Sequence, residues 1–418
     1  MNVQAVRSPV KGSVDAPSSK SAMQRYIAGS LLANGISHIH STMLCEDSLA
    51  ALEIAKALGA EVSVEGKLVV IKGGFNPVKN QIFTGESGLS TRMFSPIVAL
   101  HDSEITITGK GSVLKRPVGM VERPLSDLGV RIRSNNGFLP MKIKGPMKGG
   151  RVKADGSVSS QFITGLLMAL PVVNDDSLVM VENLVSKPYI DLTVKILKEF
   201  GIEIENKGYV EFLIKGGQQY SPGNFNVEGD WSGAAFLLVM GAIGGEVMVT
   251  GLDTRSVQAD KAIIDALARA GAVISYSDNL IRVSGGDLHG FEFNLSDCPD
   301  LAPPLTILAL ACKGKSILKG AGRLAAKESD RGEALQETMS LLGAKVKNYG
   351  EYIEIEGGTL LNGGSAASHN DHRIAMALAV AALISKKPVV IGGMECINKS
   401  YPGFIDDYVK LGGILRIM

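Results

Sequence analysis

Four cysteines, six histidines and one tryptophan among 418 residues leave little room for several kinds of chemistry. Cys45, Cys298, Cys312 and Cys396 show no CxxC spacing and no pairing with histidine, so neither a disulfide framework nor a metal centre is legible, and all four read as reduced core thiols. An excess of one charge is also missing. With 43 basic and 42 acidic residues the net charge is +1, so no global field draws the chain to nucleic acid or membrane. Any anion must be held by local clusters. The longest apolar runs, such as 374–384, are too short to span a bilayer, and the N-terminus has Arg7 and Lys11 but no apolar stretch of a secretory signal. A cytoplasmic, monomeric protein is expected.

Glycine, by contrast, is abundant, with 49 copies, and six of them mark a period. The closes Leu58-Gly59-Ala60, Leu128-Gly129-Val130, Phe200-Gly201-Ile202, Ala270-Gly271-Ala272, Leu342-Gly343-Ala344 and Leu411-Gly412-Gly413 are spaced by 70, 72, 70, 72 and 69 residues. So steady a period identifies a repeated structural unit. Each unit has a nearly all-apolar helix, expected over 21–32, 90–100, 159–170, 232–243, 301–311 and 373–384, followed by a strand, an amphipathic helix and a strand pair. Helices apolar on most faces are buried ones. Strand-helix-strand order predicts an α/β protein with parallel pairing. Three units make a domain of ordinary size, so two three-unit domains are expected.

The polar residues that do not repeat gather where the buried helices begin. They include Ser19-Lys20-Ser21, Gly85-Glu86-Ser87-Gly88, Ser159-Ser160-Gln161, Gly229-Asp230, Pro299-Asp300 and Asp371-His372-Arg373. Ser and Asp are ordinary helix caps, and Asp300 before 301–311 can be read as one. Capping needs no cation, yet Lys20, Arg25, Arg92, Arg116, Lys327, Arg331, Arg373 and Lys399 accumulate there and in the loops before the outer helices. Lys327 and Arg331, four apart at an expected helix start, would share a face. Eight cations so placed would repel one another when empty, which predicts multiply charged anionic ligands held by arginine forks and lysine point charges. Gly314-Lys315-Ser316 is no phosphate loop, because a hydrophobic run precedes it and a strand follows. Neither a Ser/His/Asp nucleophile arrangement nor metal-ligand spacing is readable, and His372 is the one histidine in a charged motif.

Four stretches together carry a resemblance: Asp155-Gly156-Ser157-Val158-Ser159-Ser160-Gln161, Ser186-Lys187-Pro188-Tyr189-Ile190, Lys327-Glu328-Ser329-Asp330-Arg331 and Asn370-Asp371-His372-Arg373. In that order the chain resembles the EPSP synthase branch of the enolpyruvyl transferase family. The resemblance implies two domains, 19–228 and 1–18 with 229–418, each of three βαβαββ units around parallel buried helices, with the active site in the cleft between them. It also implies that residues near the N-terminus complete the truncated sixth unit. The reaction implied joins shikimate 3-phosphate to phosphoenolpyruvate and releases phosphate, with no cofactor or metal.

By the same resemblance Ser159, Ser160, Ser186 and Lys327 hold the shikimate phosphate, Ser21 and Arg25 its carboxylate, and Tyr189 packs on its ring. Arg116, Gln161 and Lys399 take the phosphate of phosphoenolpyruvate and Arg331 and Arg373 its carboxylate. Arg92 belongs to the same subsite, Lys20 reaches both substrates, and Gly88 lets the backbone approach closely. Asp300, which also contacts shikimate 3-phosphate, is the expected base, Glu328 the acid with Lys20 competing, and His372 joins the catalytic set. Glu86, Leu89 and Met93 depart from the residues many relatives carry. A UDP-N-acetylglucosamine enolpyruvyl transferase would generally have a cysteine five residues before the arginine matching Arg116, where this chain has Gly111. A non-catalytic anion-binding scaffold would leave Asp300, Glu328 and His372 without a purpose.

Overall fold

The computed structural model describes residues 1–277 and 279–418. The chain divides into two compact units, Lys20–Val227 and Met1–Ser19 with Glu228–Met418. Among the described residues each unit holds three four-stranded sheets, and every sheet is built alike. In the sheet of Arg151–Asp155, Ser177–Glu182, Glu211–Ile214 and Ile204–Lys207, the first two strands pair in parallel and the others antiparallel. The expectation of parallel pairing thus holds for one pair in each sheet. Connection length accounts for four of these pairs: there the buried helix spans the crossover that parallel strands require, whereas later strands of a unit are joined by tight turns. Asn136 and Gly137, with φ of 52° and 84°, link Arg131–Asn135 to Phe138–Lys144 in this way, the left-handed pair a two-residue hairpin favours.

The buried helices are Lys20–Leu32, Gly88–Val98 and Gln161–Ala169 in one unit and Trp231–Gly244, Ala302–Ala311 and His372–Ala381 in the other. All differ by a few residues from the expected spans, chiefly where short 3-10 turns flank them. Gly165 lets two of them touch, since a Cβ there would lie 2.6 Å from the Met93 carbonyl oxygen. In the unit Lys20–Val227 the three N-terminal turns converge. Ser87 and Ser90 donate to Gln24 Oε1, Arg25 donates to Thr164, and Arg92 donates to Gln161. Converging helix starts concentrate unpaired N–H groups and partial positive charge.

The N-terminal residues complete two sheets. Asn2–Val6 lies between Val389–Gly392 and Ile414–Ile417, antiparallel to both, and supplies the strand the sixth unit lacks. Val10–Asp15 pairs in parallel with Gly245–Thr250 in the fourth unit. The first unit receives its corresponding strand, Asn224–Asn226, from the end of the third. No described helix is long and apolar enough to cross a membrane.

This strand inventory makes the two units unequal as fragments. Residues 20–227 contain every strand of their three sheets, so that fragment is expected to fold alone and melt cooperatively. Residues 228–418 lack two strands and should not, unless 1–19 are supplied through a linker. Circular dichroism and thermal unfolding of the three fragments check this.

Candidate active site

In the unit Lys20–Val227, Lys20 begins its helix and its Nζ lies 3.0 Å from Asp47 Oδ2. One turn on, Arg25 is buried and makes four hydrogen bonds with neutral oxygens. Its Nε donates to Thr193 Oγ1 at 2.9 Å, Nη1 to the Ser21 carbonyl at 2.7 Å, and Nη2 to Thr164 Oγ1 and the Tyr189 carbonyl at 3.3 and 3.2 Å. Of a guanidinium's five N–H donors, one remains for an anion. Burial without a carboxylate lowers the Arg25 pKa to about 10. Ser186, in the left-handed conformation at φ 56°, precedes the helix Lys187–Glu199 that carries the half-buried Tyr189. Ser159 Oγ accepts from the Gln161 N–H, and Ser160 stands at the helix start without a side-chain cap. Arg92 joins two loops, donating from Nη1 to Gln161 Oε1 at 2.8 Å and from Nη2 to the Pro117 carbonyl at 2.9 Å. At Gly88 a Cβ would lie 2.6 Å from Arg116 Nη1, so glycine is what lets that guanidinium lie against the helix start.

The other unit gathers charge of both signs. Asp300 sits in a 3-10 turn, Pro299–Leu301, ahead of the helix Ala302–Ala311. Its Oδ1 lies 3.1 Å from Lys327 Nζ and 2.8 Å from Arg331 Nη1, and its Oδ2 3.1 Å from Arg373 Nη2. Burial works against its charge, but Arg373, Lys327 and Arg331 outweigh it and hold the carboxyl well below the usual range. Arg331, with no exposed side-chain surface, also donates from Nη2 to Glu328 Oε2 at 2.6 Å and from Nε to Asp371 Oδ2 at 2.9 Å. Asp371 in turn caps the helix His372–Ala381 through the Arg373 N–H and accepts from Ser329 Oγ. His372 Nδ1 is 4.0 Å from Asp371 Oδ1, and Lys399 Nζ donates to the Asn370 carbonyl at 2.7 Å. Burial pulls the Lys327 pKa down, against the attraction of Asp300. Among the described residues no cluster has the make-up of a metal site.

Three expectations need correction. Asp300 is not a helix cap, since its carboxylate faces three cations instead of backbone N–H groups. Lys327 and Arg331 do not share a helix face, because the helix Arg331–Leu341 begins only at Arg331; they meet on Asp300 instead. Nor are the cations an uncompensated cluster. Asp47 neutralises Lys20, while Asp300, Glu328 and Asp371 surround Arg331. Asp47 and the tie from Asp371 to Arg331 escaped the sequence reading. The pairing joins residues forty apart, and only the motif Asn370-Asp371-His372-Arg373 pointed near it.

Asp260 was also missed. Burial raises its carboxyl to about 6, with Asp300 adding to the shift and Arg373 opposing it. The folded value lies above the unfolded one, so the stability this group contributes is complete below about pH 4 and lost as pH rises through 6. Asp260→Asn is therefore expected to gain on the parent protein between pH 4.5 and 7.5, by on the order of 2–3 kcal/mol. Chemical denaturation at the two pH values checks this, and a difference independent of pH would refute it.

Comparison with known proteins gives the family. The family described as EPSP synthase (3-phosphoshikimate 1-carboxyvinyltransferase) matches residues 5–408. A 3-phosphoshikimate 1-carboxyvinyltransferase of Clostridium perfringens (strain 13 / Type A) is 40% identical over 98% of each chain. One of Clostridium novyi (strain NT) is 37% identical over 99% of this chain and 98% of its own. Among solved structures, EPSP synthase from Acinetobacter baumannii superimposes with a TM-score of 0.84 at 26% identity, covering all of both chains. The enolpyruvyl transferase NikO from Streptomyces tendae shares the fold, with a TM-score of 0.80 at 16% identity over 99% of this chain and 98% of its own. The family match spans nearly the whole chain, and the chain belongs to the EPSP synthase family.

Proposed function

We propose that this enzyme transfers the enolpyruvyl group of phosphoenolpyruvate to the 5-hydroxyl of shikimate 3-phosphate, releasing phosphate and using neither metal nor organic cofactor. The observation that carries the site assignment is Asp300, a carboxylate held ionised against Lys327, Arg331 and Arg373. In that state it is a weak base. An arriving substrate carboxylate competes for Arg331 and Arg373, and each ion pair drawn off Asp300 raises its basicity toward the range general-base catalysis needs.

Shikimate 3-phosphate is held through its phosphate by Ser159, Ser160, Ser186 and Lys327. Its carboxylate takes the remaining Arg25 N–H and Ser21, and its ring packs on Tyr189. Arg116, Gln161 and Lys399 take the phosphate of phosphoenolpyruvate, with Arg92 holding Gln161 in place. Lys20 serves both substrates. Asp300 removes the 5-hydroxyl proton as that oxygen bonds to C2 of phosphoenolpyruvate, and the methylene carbon gains a proton, giving a tetrahedral adduct. Glu328, ion-paired to Arg331 at rest, takes up a proton from solvent once Arg331 has turned to the substrate and delivers it to the methylene carbon, with Lys20 beside Asp47 as the alternative donor. The same group, now a base, takes a proton back from the new methyl group as phosphate is expelled, and the arginines stabilise the charge on that phosphate. His372 lies beside Asp371, the carboxylate behind Arg331, with its Nδ1 4.0 Å from Oδ1.

A UDP-N-acetylglucosamine acceptor is disfavoured at Gly111. The φ there is +60°, which strains any residue with a Cβ, and a cysteine would have to displace the Glu86 carboxylate, 2.4 Å from where its Cβ would lie. Phosphate release from phosphoenolpyruvate with each acceptor decides between the two. Asp300→Asn tests the base: it keeps the side-chain shape but cannot take a proton. The variant is expected to fold and to bind shikimate 3-phosphate, while kcat falls by about 10²–10⁴. A folded variant retaining more than about a tenth of the parent rate would remove Asp300 from the chemistry.

A further inference from the structure

Glu86 lies two residues before Gly88, in the loop that opens the helix Gly88–Val98, and the structure gives it a partner that its position in sequence does not suggest. Its Oε2 accepts from both the backbone N–H and the hydroxyl of Ser112, each at 3.0 Å. Ser112 belongs to the 3-10 turn Gly111–Lys115, which runs directly into Arg116. That turn is fastened to the helix start at three points. The Lys110 N–H donates to the Gly85 carbonyl at 2.8 Å, Ser112 donates to Glu86, and the Pro117 carbonyl accepts from Arg92 at 2.9 Å. Arg116 lies between the second and third of these, with its guanidinium over Gly88. Gly111 makes the second fastening possible, because a methyl group there would occupy the space of the Glu86 carboxylate.

We propose that Glu86 is a positioning residue: through Ser112 it fixes the Gly111–Lys115 turn, and so sets where Arg116 meets the phosphate of phosphoenolpyruvate. The inference rests on the assignment of Arg116 to that phosphate. In this role Glu86 reaches the substrate only through Ser112 and Arg116. It acts as a two-bond acceptor, and a charged acceptor is the stronger kind. A neutral amide oxygen at the same place can still receive both Ser112 donors, whereas a methyl group receives neither.

Steady-state kinetics of Glu86→Ala, Glu86→Gln, Ser112→Ala and Arg116→Ala, each with its melting temperature, test this. Glu86→Ala is expected to raise KM for phosphoenolpyruvate about ten-fold, with KM for shikimate 3-phosphate unchanged and kcat within about three-fold. Glu86→Gln should restore KM to within about three-fold of the parent, and Ser112→Ala, which keeps the backbone donor, should fall between the two. A Glu86→Gln variant that binds phosphoenolpyruvate more tightly than the parent would overturn the proposal, by showing that the carboxylate acts through its charge on the substrate. So would a Glu86→Ala variant with a lowered melting temperature and an unchanged KM, the mark of a merely structural residue. Should Glu86→Ala fail to fold, the Glu86→Gln and Ser112→Ala pair decides: an unchanged KM in Ser112→Ala overturns it. Arg116→Ala separates the two assignments. An unchanged KM for phosphoenolpyruvate there removes Arg116 from the phosphate and this proposal with it, whereas a raised KM there beside an unaffected Glu86→Ala overturns the role of Glu86 alone.

Discussion

A guanidinium with no exposed side-chain surface needs its charge compensated, and Arg331 meets that need with the carboxylates of Asp300, Glu328 and Asp371. Much of the surrounding architecture follows from that need. Asp371 must hold both the guanidinium and the N–H of Arg373, which ties the start of the helix His372–Ala381 to the start of Arg331–Leu341. Asp300, shared with Lys327 and Arg373, brings in the turn before Ala302–Ala311. Removing one member of such a buried set leaves charge uncompensated and typically costs about 3–5 kcal/mol. The set is therefore both a fold constraint and a reserve of charge that an anionic substrate can rearrange.

The unit Lys20–Val227 treats its own buried arginine differently. Arg25 is surrounded by hydroxyls and carbonyls, so its charge is solvated by dipoles and not cancelled. Lys20 in the same unit does face a carboxylate, that of Asp47. Arg25 thus meets an anion with its charge solvated and not cancelled, while Arg331 and Arg373 are already engaged with carboxylates. A ligand meeting Arg25 displaces no counter-charge, while one meeting Arg331 or Arg373 must compete with Asp300.

The repeat was legible because its glycine closes recur at a nearly constant spacing, and the buried helices because their apolar character runs round most faces. Strand direction was only half legible. Sequence order shows that a helix separates two strands, but not that the later strands turn back through hairpins such as Asn136-Gly137. At the site, residue types pointed to anions, and the cations were found by counting. Their counter-ions were not, because Asp47 and Asp371 each read as an ordinary first-turn acid or cap. Asp300 could be read as a cap from its position although the resemblance named it as the base, and its proximity to Lys327, Arg331 and Arg373 is seen only in three dimensions. Glu86 stood out as a departure in type, while its function as an acceptor for Ser112 depended on a contact twenty-six residues away.

The strand Asn2–Val6 carries a cost in time. A ribosome makes it long before either of its neighbours, Val389–Gly392 and Ile414–Ile417. At roughly 5–20 residues per second the wait is on the order of 20–80 s. Through that interval Val3 and Ala5, fully buried in the finished protein, have no sheet to enter, and the strand presents unpaired backbone on both edges. Residues 20–227 can close their three sheets within that wait. The nascent chain thus carries one finished unit between an orphan strand and an unfinished half, and it is in that state that it most needs protection from association with other chains.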